Sequence, residues 1–255
     1  MIIDTHCHLF KEYYNNIDEV IKNMGNNIII VNGTNAITNK EVILLCNKYK
    51  NIYGTLGIHP SEVNDVKEED LLFIKKNLNN SKIVGIGEIG LDYYWTKENI
   101  NKQKDLFIKQ IRLAKEYKKT IVIHSRDAIN DTYNILMEEN VDGNKVVMHC
   151  FGSSLEIAKK FIEMGVMLGI GGVVTFKNSV KLVEVVKKVD LNHILLETDS
   201  PFLSPEPFRG KTNEPVNVKL VAKKIAQIKG ISEEEVYKIT TCNAVRQFDL
   251  DVSLC

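Results

Sequence analysis

The chain has 255 residues, of which 44% are apolar and 26% charged, and its 33 lysines and arginines are matched by 33 aspartates and glutamates. That length suits one large domain, and the ordinary apolar share excludes a disordered chain. A formal net charge of zero excludes a broad basic face for coating nucleic acid, although a few basic groups can still be confined to an active-site mouth.

Short aliphatic or β-branched runs punctuate the chain. Predicted strands fall at 2–4 (IID), 27–33 (NIIIVNG), 52–58 (IYGTLGI) and 82–90 (KIVGIGEIG), then at 120–125 (TIVIHS), 145–151 (KVVMHCF), 166–174 (VMLGIGGVV) and 193–199 (HILLETD). Each is short and apolar enough to be a parallel strand buried on both faces. Helical patterns fill the gaps. The stretch 38–49 opens on a Thr38–Glu41 capping box, and 67–78 follows the third strand. A longer helix around 98–118 puts Phe107, Ile111, Ala114 and Tyr117 on one face, and 155–165 ends at Gly165, a residue suited to the position after a helix C-cap. The segment 232–248 opens on a second box, Ser232–Glu235. Eight strands alternating with helices predict an α/β fold, a single (β/α)8 TIM-type barrel spanning 1–255. A doubly wound open sheet is the other way to arrange the same elements.

Five cysteines are scattered at 7, 46, 150, 242 and 255 without a CxxC pair. An odd, scattered set predicts free thiols in a reducing compartment. The chain starts directly on MIIDTHCHL, with neither a leader pattern nor a run long enough to span a membrane, so a cytoplasmic location and no membrane partner are expected.

Barrel enzymes place their chemistry at the C-terminal ends of the strands. There the scheme puts Asp4, His6 and His8 (first strand), His59 (third), Glu88 (fourth), His124 (fifth), His149 (sixth) and Asp199 (eighth). Five of the six histidines therefore gather at one rim, and His193, which opens a strand, is assigned to the opposite end. Residues two apart on a strand face the same way, so His6 and His8 converge while Cys7 turns away. Imidazoles mixed with carboxylates suit Zn²⁺, Mn²⁺, Fe²⁺ or Co²⁺, with Mg²⁺ admissible where substrate phosphate adds oxygens. The metal set is His6, His8, Glu88, His124, His149 and Asp199, more than one tetrahedral ion needs. Two divalent ions about 3.5–4 Å apart would use it. Glu88 would bridge, His6, His8 and Asp199 would hold one ion, and His124 and His149 the other. A water activated by the metals would be the nucleophile, with Asp199 as a catalytic proton acceptor.

A second set lies around it. Asp4 is either a partner behind His6 or His8 or a turn residue. His59, Arg126, Arg209 and Lys211 are placed to hold substrate phosphate, each with a structural alternative: a core role for His59, an ion pair with Asp127 for Arg126, a solvated loop for the other two. Tyr93, Tyr94 and Trp95 either stack on bases or pack their loop down. Cys150 reads as a small apolar neighbour. GIGEIG and GIGG lack the spacing of a dinucleotide-binding loop.

The motifs DTHCHL (4–9), GIHP (57–60), GEIGLDYY (87–94), IHSRDA (123–128), HCF (149–151), LLETDSPFLSP (195–205), RGKTNEP (209–215) and TTCNAVRQF (240–248) resemble the TatD-related deoxyribonuclease family, within the wider metal-dependent hydrolase superfamily, and the likeness runs nearly end to end. It implies a divalent-metal nuclease on DNA, often a 3′-to-5′ exonuclease and a monomer, and carries the same six residues over as ligands. Thr120 in place of a frequent proline and HCFGSS in place of HCFSG are departures that touch no ligand. The rival activity is amide or ester hydrolysis, including deacylation of aminoacyl-tRNA. Many such barrels bear a carbamylated lysine on the fourth strand, where this chain has Glu88 and no lysine.

Overall fold

The structure, a computed structural model, describes residues 1–95 and 97–252. Eight strands appear where the runs predict them: β1 Ile3–Cys7, β2 Ile28–Asn32, β3 Ile52–Leu56, β4 Ile83–Asp92, β5 Thr120–Arg126, β6 Val146–Met148, β7 Met167–Ile170 and β8 Ile194–Leu196. They form one parallel sheet in the order β1 to β8. A parallel bridge between Cys7 and Ser200, just past β8, brings the last edge back to the first. The helices are α1 Ile17–Met24, α2 Ala36–Lys48, α3 Glu68–Asn77, α4 Ile100–Tyr117, α5 Ile129–Glu138, α6 Leu155–Glu163, α7 Val180–Lys188, α8 Val218–Lys229 and α9 Glu233–Phe248. The fold is a nearly closed (β/α)8 barrel, as expected.

Two apolar clusters hold it. The larger joins the outer strand faces to the helices, with Ile89, Ile123 and Leu168 against residues such as Phe107, Ile111 and Phe161. The smaller fills the interior with one or two residues from each strand, among them Ile30, Val84, Val122, Val147 and Leu195. Ala244 and Phe248 of α9, and Leu250 after it, join this inner cluster and so stopper the end of the barrel at which the strands begin. Burying a full aliphatic or aromatic side chain contributes roughly 1.5–3 kcal/mol, so the rim opposite the stopper can carry charge without unfolding.

Local signals hold with one correction. Ser232 caps α9 by accepting the Glu235 N–H, and Gly165 follows α6 at φ 93°. The cap of α2 is Asn35 rather than Thr38: Asn35 Oδ1 accepts from the Thr38 N–H, and Thr38 Oγ1 accepts from the Asn35 N–H. Thr38 is thus the third residue of the helix, because the more favourable Asn cap lies one turn earlier. Among the described residues no helix is long and apolar enough to cross a membrane. Cys7, Cys46 and Cys150 are free, whereas Cys242 is disulfide-bonded, so the expectation of free thiols throughout fails there. Cys255 lies outside the described residues.

Strand β4 is crowded at Gly90, whose φ of 141° lies where side chains are strained and where a Cβ would sit 2.0 Å from the His124 carbonyl oxygen. Gly90→Ala is therefore expected to destabilise by roughly 2–4 kcal/mol, through strain plus displacement of β5. Gly25→Ala, at φ 61° with nothing within 4 Å, should cost about 1 kcal/mol. Urea midpoints measure both, and equal shifts would show that the β4–β5 approach is not tight.

Candidate metal centre

The rim side chains are aimed by irregular strands. Ile3 points into the barrel and Cys7 out of it, although both are odd-numbered, and the β1–β2 register shifts between Asp4 and Cys7. That change of parity turns His6 and His8 inward. Strand β4 does the same: Ile86 packs outward, the register shifts between Ile86 and Ile89, and Glu88 and Asp92 face the mouth. At β8 the strand ends at Leu196, and Asp199 follows at φ 55°, with its N–H donated to the His6 carbonyl at 2.9 Å.

Glu88 stands at the middle. Its Oε2 lies 3.4 Å from both His6 Nε2 and His8 Nε2. Its Oε1 lies 2.9 Å from His124 Nδ1 and 3.7 Å from His149 Nε2 and His59 Nε2. Asp199 Oδ1 lies 3.4 Å from His8 Nε2, 3.7 Å from His149 Nε2 and 3.8 Å from His6 Nε2. The structure thus brings His6, His8, Glu88, His124, His149 and Asp199 together, with His59 beside them. The triads His6–His8–Glu88, Glu88–His124–His149 and His6–His149–Asp199 each bring three possible ligand atoms within 4.8 Å of one another.

Outer partners hold the rings. His8 Nδ1 faces the Asn32 carbonyl at 2.9 Å. A carbonyl only accepts, so the proton sits on Nδ1 and a neutral His8 turns the lone pair of Nε2 inward. Both nitrogens of His124 face carboxylates at 2.9 Å, Glu88 through Nδ1 and Asp92 through Nε2. A neutral ring has one N–H, so one of these contacts needs either an extra proton or a cation. His6 Nε2 and His8 Nε2 lie 3.3 Å apart, and His6 Nδ1, His149 Nδ1 and Glu197 Oε2 are buried without a hydrogen-bond partner among the described residues. Converging lone pairs and carboxylates in a largely buried pocket are the donor set a divalent cation requires, so the residues fit such an ion.

Without a cation, protons supply the missing charge. Burial opposes ionisation of Glu88, but His149, His124 and His6 outweigh it and hold the carboxyl well below the usual range. Burial likewise opposes protonation of His149 and His124. The charges of Glu197, Asp199 and Glu88 nevertheless push His149 up to about 10, and hydrogen bonds to Asp92 and Glu88 push His124 up to about 9. His59 goes the other way, lowered by burial to about 4. Its Nδ1 accepts the Ser61 N–H at 3.1 Å, so in the neutral ring Nε2 carries the proton and faces the mouth.

The remaining candidates fall around this centre. Asp4 does not touch an imidazole. It accepts from the N–H groups of His6 and Thr198 and from Thr198 Oγ1, and so ties β1 to the segment after β8. Arg126 makes no ion pair among the described residues, and its guanidinium stacks 3.7 Å above the Tyr94 ring. Arg209 stacks on Phe176 at 4.4 Å, and Lys211 lies 5.8 Å from the Phe208 ring. Tyr93 packs its loop down through a 2.8 Å bond to Asp131, while Tyr94 and Trp95 are exposed. His193 lies in a single 3-10 turn before β8, at the far end. Burial pushes the Cys150 thiol far up. Sequence reasoning missed Asp92, which backs His124, and Glu197. The latter is fully buried, 3.1 Å from His149 Nδ1, and accepts the Cys150 N–H at 2.6 Å. Spacing held a clue in both cases: Asp92 lies four residues after Glu88 and Glu197 two before Asp199.

Comparison with known proteins agrees with this geometry. Residues 3–249 match the family model of the TatD related DNases. A metal-dependent hydrolase of Bacillus subtilis, YabD, is 44% identical over 98% of this chain and 100% of its own length. Another, YcfH of Escherichia coli, is 35% identical over 99% of this chain and 97% of its own. Both carry the description uncharacterized. The crystal structure of YJJV, a TatD homolog of Escherichia coli, superposes with a TM-score of 0.91 at 28% identity, over 98% of each chain. With a rim of histidines and carboxylates suited to divalent cations, and with these matches across almost its whole length, the chain belongs to the TatD related DNase family and is a metal-dependent hydrolase.

Proposed function

We propose that this barrel, residues 1–255 acting as one unit, hydrolyses DNA phosphodiester bonds with two divalent ions, Mg²⁺, Mn²⁺ or Zn²⁺, as a 3′-to-5′ exonuclease. The observation that carries the reading is the division of Glu88: Oε2 faces His6 and His8, and Oε1 faces His124 and His149. A carboxylate shared between two histidine pairs could bridge two ions, one of which His6, His8 and Asp199 would hold and the other His124 and His149. Ions bound there would supply Lewis-acid polarisation of a phosphate oxygen and a water acidic enough to attack near neutral pH.

The chain's own groups do the rest. Asp199, whose carboxylate is 13% exposed and so open to the mouth, accepts the proton of the attacking water. The His59 Nε2–H donates to a non-bridging phosphate oxygen. Stacking on Tyr94 fixes the plane of Arg126, whose N–H edge makes no ion pair among the described residues and would face a phosphate, and Arg209 and Lys211 hold the strand further out. The substrate visits transiently, as expected of a chain with no net charge, and the enzyme works as a cytoplasmic monomer. Glu88 occupies the fourth-strand position at which the carbamate-bridged amide hydrolases carry lysine, which favours phosphodiesters over amides.

Purified protein should shorten single-stranded or 3′-overhanging DNA with Mn²⁺ or Mg²⁺ and stop in EDTA. Glu88→Gln and Asp199→Ala should each lower the rate by at least about a hundredfold while leaving the fold intact by circular dichroism. Cleavage by Asp199→Ala at the parent rate would refute the mechanism. Inert DNA alongside hydrolysis of an aminoacyl-tRNA ester or a cyclic amide would replace the substrate assignment.

The imidazoles also set a pH dependence. In metal-stripped protein His149 and His124 hold protons up to about 10 and about 9, against an ordinary 6.5. Their contribution to stability is fully present below pH 6.5 and is lost as pH rises through those values. Metal binding needs the same nitrogens free of protons, so it strengthens as they leave. Melting temperature in EDTA should fall between about pH 7 and about pH 10, and the increment added by Mn²⁺ should grow over that range. A shrinking increment would mean that these histidines do not bind the ion.

A further inference from the structure

Beside the metal centre stands an exposed aromatic shelf. Phe202 is 48% exposed and Tyr13 39%. Their rings meet edge to face, 5.5 Å apart at 72°. The Phe202 ring centre lies 6.1 Å from that of His8, and Tyr13 leans on the buried Phe10 at 6.3 Å. An exposed ring on a slack loop would be unremarked, but Phe202 is not slack. Its N–H is donated to the Asp199 carbonyl at 2.8 Å, and its own carbonyl accepts from Asn213 Nδ2 at 2.8 Å. Asn213 is itself fully buried and also binds the Thr198 and Pro201 carbonyls. The backbone that aims Asp199 into the centre is therefore the backbone that holds Phe202 out in water, next to the first histidine pair. An apolar ring fixed against solvent forgoes burial, which makes sense when a flat ligand supplies the missing contact.

Resting on the phosphodiesterase reading, we propose that Phe202 and Tyr13 form a nucleobase-stacking subsite for the nucleotide that adjoins the scissile phosphate. Three features select this occupant. The shelf lies one ring away from the centre at which the phosphate would be held, so the group covalently next to that phosphate reaches it. Phe202 is 48% exposed and so open to a planar π-system, with Tyr13 packed edge to face beside it. The loop bearing Phe202 also carries Arg209 and Lys211, so one loop supplies both cations for the sugar–phosphate backbone and an aromatic platform for the base, the pairing that single-strand binding grooves use. Stacking reads the presence of a base rather than its identity, because every base has a π-face. The subsite accordingly takes any of the four bases, provided the base is unpaired.

The test compares two oligonucleotides with the Mn²⁺-loaded protein, one with an ordinary 3′-terminal nucleotide and one with a tetrahydrofuran abasic residue there. The parent protein should prefer the base-bearing strand by about tenfold in kcat/KM, within the range of one stacked base. Phe202→Leu, which keeps bulk but removes the π-face, should bring that ratio close to unity, and Phe202→Trp should retain it. A 2-aminopurine at the terminal position should lose fluorescence on mixing with parent protein in EDTA, where no strand is cut, and should stay bright with Phe202→Leu. Equal cleavage of both strands by the parent, or an unchanged ratio in Phe202→Leu, overturns the subsite and leaves the nuclease reading standing. Cleavage of neither strand overturns both.

Discussion

The structure depends on holding a dense cluster of ionisable groups at one rim of the barrel. Two carboxylates and four imidazoles crowd together in a largely buried pocket, each imidazole with a nitrogen 2.9–3.8 Å from an oxygen of Glu88 or Asp199. Left bare, such a cluster would force itself apart, because carboxylates and imidazole lone pairs repel strongly where solvent cannot screen them. It persists because a barrel packed inside and out cannot open one rim without disturbing its strands, and because protons or cations neutralise the centre. The high proton affinity of His149 and His124 and the suitability of the site for divalent ions are two expressions of this constraint.

The barrel supplies rigidity, and departures from its regularity supply direction. Register shifts in β1 and β4 turn His6, His8 and Glu88 toward the axis. Left-handed backbone at Cys150 and Asp199 bends the chain sharply where β6 and β8 give way to loops. Such conformations cost roughly 1–3 kcal/mol each and persist only where the surroundings hold them. Here the Asp199 N–H on the His6 carbonyl and the Glu197 carboxylate on the Cys150 N–H do the holding. Glu197 thereby serves two ends, fixing a turn and facing the outer nitrogen of His149.

Much of this was legible in the sequence. Eight apolar runs announced eight strands, and the clustering of five histidines at predicted strand ends indicated a metal site before any contact was known. His6 and His8 were readable because alternation along a single strand suffices to pair them. The place of Glu88 between the two histidine groups was readable from its strand, but the division of its two oxygens between them was not, since a carboxylate's two oxygens leave no trace in a sequence. Asp92 and Glu197 escaped because their work is done across the sheet, on imidazoles carried by other strands, and a local pattern does not reveal which ring a buried carboxylate meets. The α2 cap was misplaced for a simpler reason: Thr38 and Asn35 are both good capping residues, and only the backbone shows which one leads.

The stopper formed by α9 has a topological consequence. With Phe248 and Leu250 in the inner cluster, the barrel is a blind well rather than a tube. Nothing can be threaded through it, so whatever reaches the histidine rim must leave by the opening it entered. A polymer worked on here would have to be presented end-on or drawn sideways across the mouth, and each released fragment would compete for the same doorway as the next length of chain. The loops around the mouth, rather than the barrel, would then set how readily one turnover gives way to another.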